Sequence, residues 1–344
     1  MSHMTRRVPP SFVLACSIAL VAAACSESPT TPAPRAAPPS ASLSQSPELN
    51  DPIGNGHIMH TKAWYENDAA RNAAKGGASA PIKYHGGPVL LSATNVAAVY
   101  WAASPIYVNG PAAGTSGSGS VDASLLGFFL SHLGGSAYFN INTSYTDGSG
   151  SPIANVVNYT QYWANNSNVP TGTQSVSDAQ MVAMLQAGFN SGALSYDPST
   201  LYAIFTAGQV NLGGGFGTQY CAYHTHGTVT VNGVARTVLY AAMPYNYAYP
   251  SACTSGYKPA NGTVDVGADY EVNTLAHEIE ETTTDEMGNA WYDRRGYENA
   301  DKCAWTWGTT YTTAAGGTAN IKVGGKDFLV QRNWVASGGC ALSY

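Results

Sequence analysis

The stretch from Asp269 to Asp285 contains neither proline nor glycine, in a chain with 37 glycines and 19 prolines among 344 residues. Within it Val272, Leu275, Ala276 and Ile279 fall at i, i+3, i+4 and i+7, which is one apolar stripe of an α-helix. At about 100° per residue, His277 and Glu281 lie together on the side roughly opposite that stripe. The pattern predicts a helix with one face in the core and the other presenting His277 and Glu281 to a cleft. Glu280 is turned farther from His277, towards the edge of the stripe, and Glu278 points in a third direction beside Glu281.

The same residues read LAHEIEETTTDE, close to the H-E-x-x-H of zinc peptidases with Glu281 where the second histidine would stand. Two ligands one helical turn apart can hold one ion. The carboxylate after the histidine, Glu278, then lies where a general base would take a proton from metal-bound water. Zinc accepts carboxylate oxygen as well as imidazole nitrogen. An anionic ligand lowers the net positive charge at the metal, which weakens water activation or favours a harder ion such as manganese or calcium. A third ligand is sought downstream in GNAWYDRRGYENADKCAW, where Asp301 is the first choice and Glu298 the second. The bland alternative is an acidic helix face in water. A second cluster, CAYHTH, places His224 and His226 on one face of a strand by alternation, as ligands or substrate-positioning groups.

Elsewhere the patterns are mixed. Asn95–Ala102 and Leu201–Ala207 read as buried strands, and Val121–Leu133 as a helix stopped by Gly134 and Gly135. Ser177 with Gln180 resembles a capping box for a helix to about Phe189. Val229–Met243 reads as a hairpin turning at Asn232-Gly233, and IKVGGKDFLVQ repeats the pattern at Gly324-Gly325. The class is therefore α+β. There is no G-x-S-x-G and no plausible cysteine nucleophile.

Arg6 and Arg7 before an apolar run that ends in VAAAC describe an export signal over residues 1–25. Cys25 is a candidate for lipidation, with ordinary cleavage nearby as the alternative. Residues 26–80 read as a flexible stalk or pro-segment, within which HTKAWYENDAARNAAK could form a helix. Residues 81–344 form one large domain. Four cysteines lie there, and an even number in an exported chain favours disulfides. Of three pairings, Cys221–Cys253 with Cys303–Cys340 is preferred because sequential pairs close separate loops, and the second pair would fix the Asp301 loop beside the helix. A net charge of −6 with no basic cluster argues against nucleic acid as a partner.

Several stretches resemble the EXORDIUM or phosphate-induced protein family of secreted plant and bacterial proteins: YHGGPVL from Tyr84, the strand ending VYW, the helix from Val121, CAYH, HEIEETTTDEMGNAWYD with its ENADKC sequel, and VQRNWVASGGC. The resemblance covers most of the chain from Tyr84 onward. It implies an exported protein of the cell surface or wall. The zincin-like HE-helix implies a zincin-like single domain with a mixed sheet, hairpins and an active-site-type helix, in which His277 and Glu281 are ligands and Glu278 is the general base. Glu281 departs from that pattern.

Two functions follow as expectations. One is an extracellular or envelope metallohydrolase, in particular a zinc peptidase acting on a peptide or cell-surface substrate. The other is a non-catalytic EXORDIUM-type surface protein with a structural or vestigial metal site. In either case the membrane is reached only through a lipid anchor.

Overall fold

Strict alternation along a few apolar strands sets the layers of this fold. The structure, a computed structural model, describes residues 57–74 and 80–344. The export signal, Cys25 and the first part of the expected stalk lie outside the described residues.

Seven strands make the main sheet: β1 (His57–His60), β2 (Thr94–Trp101), β3 (Ser116–Ser118), β4 (Val157–Trp163), β5 (Thr200–Thr206), β6 (Tyr220–Val231) and β7 (Val234–Met243). Their spatial order is β1-β6-β7-β5-β2-β4-β3. β7, β5, β2 and β4 run parallel to one another, while β3 pairs antiparallel with β4 at one edge, and at the other β6 pairs antiparallel with β7 and β1 with β6. The sheet is mixed and the class is α+β. The hairpin expected at Asn232-Gly233 joins β6 to β7, and both turn residues take the positive φ of a tight turn, 51° and 75°.

In β2, Val96, Ala98 and Tyr100 face one layer, and Ala97, Val99 and Trp101 face the other. Four helices matter: α1 (Lys62–Ala74), α2 (Leu125–Leu133), α3 (Asp178–Ser191) and α4 (Val266–Thr284). α2 and α4 cover the first face, and α3 covers the second. α3 begins with the expected capping box, Ser177 and Gln180 each bonding the other's backbone. α2 starts later than its sequence pattern suggests, at Leu125, because Ser124 caps it by accepting from Gly127 N–H.

α4 contains the predicted helix and adds a turn before it. Asp265 caps it by accepting from Ala268 N–H at 2.9 Å. Gly267 is tolerated inside it because the Tyr245 ring packs where a Cβ would otherwise sit, 2.1 Å from the phenol oxygen. The expected apolar stripe, Val272, Leu275, Ala276 and Ile279, packs on Ala98, Ala203, Ala222 and Ala241 of the sheet. These small strand residues let the helix come close. They also mark a line across the sheet: Ala98 pairs with Ala203, Ala203 with Ala241, Ala241 with His224, and His224 with His57. The row that admits the helix thus ends in two adjacent histidines.

The second face of α4 does not look into an open cleft; among its residues only Val266 and Tyr270 keep appreciable exposure. The loop from Asp285 to Cys303, the segment around Gln331–Asn333 and strand β1 close over it. Two of its buried carboxylates are held by hydrogen bonds. Glu280 accepts from the amides of Asn142 and Asn333, and Glu271 accepts from the Asn246 backbone at 3.0 Å and its side-chain amide at 3.2 Å.

Burial pushes the Glu271 carboxyl up to about 8, only partly offset by its bonds from Asn246 and Thr274. An acid whose folded pKa is raised contributes stability that is present below its unfolded pKa and is lost as pH rises towards 8. Glu271→Gln is therefore expected to flatten the fall in stability between about pH 5 and pH 8, where the parent loses up to about 1.4 kcal/mol per pH unit to this group. Urea midpoints taken across that range test it. Parallel curves for parent and variant would show that Glu271 already ionises normally in the folded protein.

Residues 57–74, read from sequence as part of a stalk or pro-segment, pair and pack with the rest of the chain. β1 lies antiparallel on β6. Asp68 of α1 receives both Arg295, at 2.7 and 2.8 Å, and the Tyr297 hydroxyl, at 2.7 Å. Trp305 Nε1–H donates to His60 O at 3.1 Å.

Candidate metal centre

His277 and Glu281, one turn apart on α4, approach to 3.0 Å through Nε2 and Oε1. The two atoms lack the alignment of a hydrogen bond, and Nε2 has no hydrogen-bond partner among the described residues. Asp301 Oδ1 is 3.6 Å from the same nitrogen. These three groups lie within 4.8 Å of one another, all buried. The structure thus brings together the helix pair and the first-choice third ligand.

Glu298, the second choice, stands with a different set. Its Oε2 contacts His224 Nε2 at 3.2 Å and also meets His57 Nδ1. The rings of His57 and His224 stack with centroids 5.1 Å apart, as their pairing across β1 and β6 requires. Glu281 Oε2 faces this second set, 3.5 Å from His224 Nε2. Glu278 lies with His224 and Glu281, and both its oxygens are buried without a hydrogen-bond partner. His226 shares the face of His224 by alternation but is only half-buried, and it belongs to none of the candidate ligand groups.

The sequence of this chain matches the family described as the phosphate-induced protein 1 conserved region over residues 131–330, more than half of its length. The chain belongs to the phosphate-induced protein 1 family. No curated protein and no solved structure gives a match. Within this family member the matched region contains His224, α4, Glu298 and Asp301, whereas His57 and Tyr65 precede it.

The loop that carries Glu298 and Asp301 is fixed at several points. Cys303 is bridged to Cys340, and Cys221 to Cys253, the preferred pairings. Lys302 reaches Asp293 at 2.8 Å and Ala80 O at 2.7 Å. Asp301 N–H donates to Glu281 Oε1 at 2.9 Å, tying loop to helix. Tyr65 of α1 donates its hydroxyl to Asp301 Oδ1.

Gln331 orients His277. Its amide nitrogen donates to Ala300 O at 2.9 Å and faces His277 Nδ1 at 2.9 Å. That arrangement leaves the ring hydrogen on Nε2. Ligation through Nε2 requires the hydrogen on Nδ1 and the Gln331 amide turned over to accept it, which gives up the bond to Ala300 O.

Burial disfavours charge on all three histidines, but their carboxylate neighbours outweigh it. Glu298 raises His57 to about 9. Glu298 and Glu281 raise His224 to about 10, and Glu281 with Glu278 and Asp301 raises His277 to about 9. Burial also acts against the Glu281 carboxylate, yet His277 and His224 hold its pKa below the usual carboxylate range. Burial and the neighbouring Glu281 charge push Asp301 up, and burial first of all pushes Glu278 up. Without a cation, this cluster balances its charge with protons. A divalent ion would displace them, because ligands bind deprotonated.

Sequence reasoning found His277, Glu278, Glu281, Glu298, Asp301 and His224, and it missed His57 and Tyr65. Only strand pairing brings His57 beside His224, and no local pattern in HIMH announces that partner.

Proposed function

We propose that this family member is an exported surface or wall-associated protein whose domain is held around a buried divalent-cation centre, with a structural rather than a turnover role. The observation that carries this reading is the convergence of His277, Glu281 and Asp301 within 4.8 Å in the interior, beside a Glu278 whose two oxygens lack partners. Carboxylates are rarely left so deep without a compensating charge. The donor set of imidazole and carboxylate suits zinc or manganese. Complete burial of His277, Glu278 and Glu281 supports a structural ion. The two disulfides support an oxidising compartment outside the cytoplasm. Among the described residues no helix is long and apolar enough to cross a membrane. Lipidation at Cys25 remains the proposed membrane tether.

A second reading, a zincin-like metallopeptidase acting on a peptide or other cell-surface polymer, is favoured by Glu278 alone. Zinc held by His277, Glu281 and Asp301 would supply Lewis acidity to a coordinated water. Glu278, adjacent in sequence to His277 and with both oxygens unbonded, would hold the proton.

Elemental analysis of purified protein tests the first reading. Zinc or manganese is expected to be bound, with loss on His277→Ala, and protein that takes up neither ion overturns it. Glu278→Gln separates the two readings. Unchanged metal content and fold together with lost peptide cleavage would favour the peptidase, whereas a parent that cleaves no member of a peptide library keeps the structural role.

A further inference from the structure

The cluster contains two sets of ligand groups with no residue in common, His277–Glu281–Asp301 and His57–His224–Glu298. We propose that the centre holds two divalent cations of the zinc or manganese class, one in each set, bridged by the Glu281 carboxylate. This rests on the metal reading above and extends it.

Glu281 is built for a bridge. Its Oε1 faces His277 Nε2 at 3.0 Å and its Oε2 faces His224 Nε2 at 3.5 Å. Oε2 is buried and has no hydrogen-bond partner among the described residues. Glu298 is placed alike on the second set, with Oε2 against the two histidines and a buried, unpartnered Oε1.

Ligand atoms about 2.0–2.2 Å from a tetrahedral zinc stand roughly 3.3–3.6 Å from one another. The separations here are 3.0 and 3.6 Å in the first set, and 3.2 Å between His224 and Glu298 in the second. Glu278, grouped with His224 and Glu281, sits where the two sets meet, and both its oxygens are free. Paired metals about 3.5–4 Å apart commonly share such carboxylates.

The charge count admits the pair. Glu278, Glu281, Glu298 and Asp301 carry four negative charges when ionised, against three histidines that must be neutral to ligate. One divalent ion in the first set leaves two charges, which protons on His57 and His224 would balance; two ions leave none and need no such protons. Asp285, a further buried carboxylate nearby, has its Oδ1 held by the backbone N–H groups of Asn289 and Ala290. Its Oδ2 is buried without a partner, but Asp285 belongs to none of the candidate ligand groups.

The second set depends on His57, which precedes the family-matched region. The test therefore uses the full chain with its N-terminal strand. Stripped protein is dialysed against buffered zinc, and bound metal per chain is measured. Two equivalents are expected for the parent, about one for His57→Ala and one for His277→Ala, and none for Glu281→Ala. One equivalent in the parent overturns the pair while leaving the single-ion reading in place; none overturns both.

Should a variant misfold, manganese-loaded parent supplies an independent measurement by electron paramagnetic resonance. An exchange-coupled spectrum supports the pair, and a spectrum of isolated ions overturns it.

Discussion

Replacing Glu281 by alanine is expected to lower stability by about 3–5 kcal/mol and to remove the stabilising response to zinc. The magnitude follows from taking away one partner of a buried charge cluster while the others remain. Glu281 is the common acceptor for the Asp301 N–H and the near neighbour of both His277 and His224, with no exposure to solvent. Its loss leaves both imidazoles without the carboxylate they share, which helps to raise their pKa values. A fall in melting temperature on the order of 10 °C corresponds to that cost in a domain of this size.

The zinc response is a separate quantity. A ligand at a hundred times its dissociation constant adds about 2.7 kcal/mol to the state that binds it. Urea unfolding with chelator and with zinc should show that gain in the parent and not in the variant. Glu280→Ala is the control. Glu280 is equally buried on the same helix, but it bonds Asn142 and Asn333 and belongs to no candidate ligand group. It should lose stability and keep the zinc gain. A full zinc gain in Glu281→Ala would place any ion elsewhere.

Removing the Cys303–Cys340 bridge is expected to cost about 4 kcal/mol, from the chain entropy released over a separation of 37 residues. It should also weaken the cation site roughly tenfold to a hundredfold, as the loss of supporting contacts around a metal commonly does. The reason is position: Cys303 ends the short turn that begins at Asp301, five residues after Glu298. The Cys221–Cys253 bridge closes a loop of similar length, yet Cys221 points to the α3 side of β6, whereas Ala222 packs on the α4 side. Its removal should cost similar stability and leave affinity unchanged. A zinc titration against a competing chelator, on both double-serine variants, separates the two effects. Equal affinities in both would mean that the Asp301 loop is held by its hydrogen bonds alone.

Much of the local structure was legible in the residues. The capping box at Ser177, the Asn232-Gly233 turn and the apolar strands β2 and β5 form where their patterns place them, because each depends on interactions within a few residues. The disulfide pairs matched the preference for separate loops. The apolar stripe of α4 was equally clear, since burial of one face is written at helical period. The opposite face was misread. Sequence shows that His277, Glu278 and Glu281 are polar and that the Asp301 loop belongs beside them, but not that Gln331, Asn333 and β1 would arrive from distant positions to cover them.

The sequence by itself determined the helix, the spacing of His277 and Glu281 on it and the acidic loop downstream, because one turn of α-helix fixes their separation whatever surrounds it. Tertiary structure alone decided that Glu298 and Asp301 fall in different sets and that His57 joins His224. Those choices depend on strand register and loop path, which bring together groups more than a hundred and fifty residues apart.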